Sequence, residues 1–136
     1  MGKSWIEKRD INNNHKIKIN QKNFADIPAG TRMLVPTPKI IDKFVKQIPV
    51  GSFFCIKEIR VSLANQYKAE MTCPVVTGIS LRIIAEAAYE EYINEEVIDR
   101  VTPFWRVVHP DSKLIEKLAC GKDFVIERQS DEKIEF

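Results

Sequence analysis

The 136-residue sequence predicts an α+β fold that is mostly helical, on three observations. Apolar stripes at helical spacing, flanked by capping signals, recur from residue 37 onward. Strand-like runs are few and short. Charge is unevenly divided: residues 1–50 carry ten Lys/Arg against four Asp/Glu, and residues 51–136 carry eleven against fifteen. A basic first third suits a phosphate-rich or otherwise anionic surface, or a solvated lysine-rich tail.

Taken in order, residues 1–37 read as an irregular, basic N-terminal arm. "DINNNHKIKIN" is extended in character, and "PAGTRMLVPTP" is a short apolar strand-like run between turn signals. The main domain spans residues 38–136. "TPKIIDKFVKQIP" has Thr37 as N-cap and Pro38 at the first helical position, with Ile40, Ile41, Phe44, Val45 and Ile48 on one stripe. "SFFCI" reads as a strand and "KEIRVSLANQYK" as a helix with Ile59, Leu63 and Tyr67 facing inward. "TCPVVTGIS" reads as a loop. The longest helix then starts at Thr77 or Ser80 and runs to about Asn94. Its core face carries Leu81, Ile84, Ala85, Ala88 and Tyr92, and the opposite side carries Arg82, Glu86, Tyr89 and Glu90. "RVVHPDSKLI" reads as strand, turn, strand, and "KDFVIERQSDEK" as a closing helix. This order of elements is that of a winged helix-turn-helix with a small β wing.

Composition narrows the function classes. With 44% apolar and 29% charged residues, the chain reads as one soluble globular domain. No apolar run approaches the ~20 residues of a membrane span. "MGKSWIEKRD" has no signal-peptide core and fails the myristoylation pattern, so a cytoplasmic location is expected. Three cysteines and two histidines without CxxC or HxxxH spacing point away from a disulfide framework or a metal site. A monomer without cofactor is expected.

Across Pro38–Gln129 the sequence resembles the C-terminal DNA-binding domain of the alkylguanine-DNA alkyltransferases, and most closely their catalytically silent relatives, the alkyltransferase-like proteins. The resemblance rests on a helix followed by "IPVG" (Ile48–Gly51), on "RIIAEAA" at the family's arginine-containing helix, and on "PFWRVV" (Pro103–Val108) at its "PCHRV" motif. "PDSKL" stands at the wing turn and "LACGKDF" at the glycine-containing lid loop. The family's nucleophilic cysteine falls on Phe104 and its neighbouring histidine on Trp105; its phosphate-contacting tyrosine falls on Ile56 and its lid tyrosine on Leu118.

Alkyl transfer needs a thiolate, a base and a proton donor, and Phe104 and Trp105 supply none of them. The expectation is therefore a non-catalytic DNA-binding protein that recognises alkylated or flipped bases in DNA repair. Double-stranded DNA is the expected partner. Thr77 and Gly78 would offer first-turn amides to a phosphate, Arg82 would enter the duplex, and Tyr89 and Arg106 would add contacts. Phe104, Trp105 and Cys120 would line the base pocket. Against DNA stand five acids on the same helix: Glu86, Glu90, Glu91, Glu95 and Glu96. A winged-helix module for a protein partner or a small ligand is the alternative. A thiol enzyme using Cys120, Cys73 or Cys55 is a third, with His109 as the candidate base.

Overall fold

The computed structural model describes residues 3–94 and 97–136. The elements run α1 (Trp5–Arg9), β1 (Lys16–Ile19), β2 (Arg32–Val35), α2 (Pro38–Lys46), α3 (Ile56–Gln66), β3 (Met71–Thr72) and α4 (Pro74–Ile93). Two 3-10 turns follow (Ile98–Arg100 and Phe104–Arg106), then α5 (Lys113–Lys117) and α6 (Lys122–Asp131). The mostly helical α+β reading holds.

α4 is the axis of the fold. α1, α2, α3 and the Phe104–Arg106 turn all pack on it. Leu81, Ile84, Ala85 and Ala88 bury one side of it against Ile41, Val45, Ile59, Leu63, Phe104 and Trp105. α2 begins as its sequence dictates: Thr37 Oγ1 accepts the Ile40 N–H at 3.3 Å, and Pro38 occupies the first turn, where no N–H is needed.

The β structure lies mainly in the arm and not in a wing. The strand-like run of "PAGTRMLVPTP" forms β2 as expected, and the extended "DINNNHKIKIN" holds β1, which pairs antiparallel with it, from Lys16 opposite Val35 to Ile19 opposite Arg32. β2 pairs parallel with β3, Met33 opposite Met71. "TCPVVTGIS" is therefore no loop. Thr72 closes the sheet, and Pro74 opens α4 three residues before Thr77. The arm also supplies α1, which starts on a capping box between Ser4 and Glu7.

The two wing strands are absent, and so is a strand at Ser52–Cys55. Val107 and Val108 have strand-like composition but are buried in the helical core. The carbonyls of Trp105 and Val108 accept both N–H groups of Gln129 Nε2, at 2.9 and 2.7 Å. A side chain from α6 takes the place of a partner strand. The expected turn is present: the Ser112 N–H donates to the His109 carbonyl at 3.0 Å, and α5 follows where the second strand was expected. Among the described residues, no helix is long and apolar enough to cross a membrane.

Candidate nucleic-acid interface

A cleft of about 320 Å³ opens between α1, α4 and α5, lined by Trp5, Lys8, Gly78, Ile79, Arg82, Ile83, Leu114 and Lys117. Its lining holds three cations and no carboxylate. Lys8 Nζ lies 4.3 Å from the centre of the Trp5 indole, and the Arg82 guanidinium carbon 5.2 Å from it. Each such contact is worth about 0.5–1 kcal/mol at an exposed site. Two like charges on one ring nevertheless repel each other, so an anion in the cleft would be favoured.

Arg82 forms a long i,i+4 ion pair with Glu86 and still presents part of its side chain to the cleft. Its Nε is 3.8 Å from Glu86 Oε2, beyond hydrogen-bond length, and it is buried without a hydrogen-bond partner. The side chain as a whole is 40% exposed.

The described acids of α4 each have a partner within the fold. Glu86 is buried, and its Oε1 accepts the Ala119 N–H at 3.0 Å, closing the loop between α5 and α6. Glu90 caps α1, taking the Trp5 and Ile6 amides at 3.0 and 3.2 Å. Glu91 pairs with Arg9. These carboxylates hold the fold together, and none of them lines the cleft. Glu95 and Glu96 lie outside the described residues.

The other expected site residues divide. Gly78 lines the cleft beside Arg82. Thr77 does not: it is fully buried inside α4, its hydroxyl donating to the Cys73 carbonyl at 2.7 Å. Its amide bonds that same carbonyl, so it offers no free first-turn donor. Tyr89, two turns beyond Arg82, packs edge-on against Phe124 of α6 at 5.4 Å. Arg106 is buried, with Nε and Nη2 each donating to Glu132 at 2.8 Å and Nη1 donating to the Ile48 carbonyl at 2.6 Å. It bolts the "IPVG" turn to the "PFWRVV" segment, away from the cleft.

Phe104 and Trp105 are 1% and 5% exposed. Phe104 stacks parallel to Phe124 at 6.2 Å and meets Trp105 edge-on at 5.5 Å. Both rings belong to the core and present no face to solvent. Cys120 is half-buried beside Glu86; burial first, and then that carboxylate, push its thiol up to about 11. A thiol so raised is protonated at neutral pH and is not a nucleophile. A smaller slot of about 170 Å³, lined by Phe53, Cys55, Ile56, Leu81, Val107, His109, Ser112 and Leu114, adjoins the cleft across Leu114.

Trp5, Lys8 and Lys117 are the site residues that the motifs did not point to. The chain matches no family model, and no curated protein or solved structure is significantly similar to it.

Proposed function

We propose that this protein is a non-catalytic DNA-binding protein of the kind the alkyltransferase-like resemblance implies, gripping the backbone of double-stranded DNA in the Arg82 cleft. The observation that carries this reading is the cleft itself: three cations and one indole without a carboxylate, on a helix whose described acids are all engaged inside the fold. In this reading α3 and α4 form the helix-turn-helix pair, and the His109–Ser112 turn with α5 stands where a wing would. Trp5 gives a sugar or an unstacked base a ring to lie on, a contact worth about 1–3 kcal/mol. An extruded or alkylated base would enter the adjoining apolar slot, since Phe104 and Trp105 fill the core behind it. Phe104 leaves the family's nucleophile position without a thiol, so the protein would mark a lesion in DNA repair without removing it; Cys55 and His109, which line that slot, are the groups an alkyl transfer would have to use.

The test is fluorescence anisotropy with labelled duplexes, with and without an O6-alkylguanine. The expected result is micromolar or tighter binding that weakens with salt and is lost in Arg82→Ala. No binding to any duplex at low salt would overturn the reading. A chain whose intact mass rises by an alkyl group after incubation would overturn its non-catalytic half.

Exposed Val75 and Ile79 on α4, 50% and 56% accessible, favour the alternative of a protein partner. That alternative predicts binding that salt does not weaken.

A further inference from the structure

A second basic concavity lies at the start of α4. It encloses about 550 Å³ between the turn joining β1 to β2 and the first turn of the helix; Lys18, Asn20, Lys22, Phe24, Val75 and Val76 are among its walls. It holds no carboxylate. Asp26 is the only acid between residues 11 and 37, and it is held away by Arg60 in a two-pronged pair at 2.7 and 2.8 Å. Lys16, Lys18 and Lys22 are exposed and make no ion pair among the described residues.

The two concavities follow one another along a single face of α4. Val75, Ile79 and Arg82 stand at i, i+4 and i+7, so they share that face. At 1.5 Å per residue, Val75 and Arg82 are separated by about 10 Å along the axis. That spans about three phosphates of one strand at an axial spacing of roughly 3.4 Å. An exposed apolar ridge, Val75 and Ile79, therefore runs between a lysine cluster at the helix start and the Lys8–Arg82–Lys117 cluster further on.

We infer that the β1–β2 hairpin is a second backbone clamp: Lys18 and Lys22 neutralise phosphates of the same DNA that occupies the Arg82 cleft, so the arm belongs to the interface at both ends. This inference rests on the DNA-binding reading above. It goes further by assigning the arm's strands, which the family resemblance does not cover, a sequence-independent share of the affinity.

The experiment compares the full chain with its Lys18→Ala/Lys22→Ala variant on a labelled duplex of arbitrary sequence, titrating salt from low to physiological concentration. Each lost phosphate contact removes roughly 0.9 from the slope of log K against log salt. The expected slope is therefore shallower by about 1–2, with weaker binding at low salt. Both side chains are exposed, so the variant should keep the parent's melting temperature, which circular dichroism checks. A wild-type chain that binds while the variant keeps its slope and affinity overturns the hairpin clamp alone. A wild-type chain that binds no duplex overturns the DNA reading and the clamp with it.

Discussion

The Trp105 indole Nε1–H donates to Glu132 Oε2 at 2.8 Å, across 27 residues of sequence. The same carboxylate takes two bonds from Arg106 at 2.8 Å and one from the Gly51 amide at 3.3 Å. Glu132 thus ties the "IPVG" turn, the "PFWRVV" segment and the end of α6 at one point. Gly51 suits the place because its φ is +85° and an added Cβ would lie 3.3 Å from the Glu132 carbonyl oxygen. Two of the stretches that carried the resemblance are therefore one structural unit, and its role is to hold the fold.

Removing the carboxylate should show this. Glu132→Ala leaves Arg106 buried without a counter-charge, a loss of about 3–5 kcal/mol for a buried pair. Glu132→Gln keeps an acceptor and should lose less. Burial alone would raise the Glu132 carboxyl, but the bonds from Arg106, Trp105 and Gly51 outweigh it and hold the group below the ordinary carboxylate value. A group that titrates lower folded than unfolded stabilises fully above the unfolded value, about 4.3, and loses that effect as pH falls through the folded one. Thermal melts of the wild type should therefore drop below about pH 4.3, and those of Glu132→Gln should drop less over the same range.

Glu90 separates two views of the acidic helix. If its charge merely repelled DNA, Glu90→Ala would bind more tightly. Because it caps α1 and so places Trp5 and Lys8, the variant should bind several-fold more weakly. Hydrogen exchange should also show lost protection at the Lys8 and Asp10 amides, which bond the Ser4 and Ile6 carbonyls within α1.

How far the sequence spoke depended on element length. α2, α3 and α6 were legible because each repeats an apolar stripe or carries its caps over nine residues or more. The cleft was legible only along α4, at Gly78 and Arg82. Trp5, Lys8 and Lys117 come from helices of five residues, too short for periodicity to register. The one local signal was the Ser4…Glu7 capping box. Glu86 was expected on an open face because α4 was read as one-sided, yet the helix is covered by neighbours around much of its circumference. The wing failed because two valines look alike whether a partner strand or a glutamine side chain satisfies their backbone.

Cys120 should resist alkylation. With its thiol raised to about 11, iodoacetamide at pH 7.5 should modify it far more slowly than an ordinary exposed cysteine, as peptide mapping would show. Glu86→Gln keeps an acceptor for the Ala119 amide but removes the charge. The Cys120 thiol should then fall towards its ordinary value, and its alkylation at a given pH should speed up.

Gly78 offers a test in which stability and function move in opposite directions. Glycine inside a helix costs about 1 kcal/mol relative to alanine. A Cβ added at Gly78 meets nothing within 4 Å, so packing within the chain does not require the glycine. Gly78→Ala should therefore raise the melting temperature, by an amount corresponding to about 0.5–1 kcal/mol. The same methyl group would project into the cleft beside Arg82, where the DNA backbone is proposed to approach most closely. Affinity for duplex DNA should fall several-fold in a protein that is more stable than the parent. A variant that gains stability and binds DNA unchanged would mean that the backbone does not come close to Gly78, and would move the contact outward to Arg82 and Lys117.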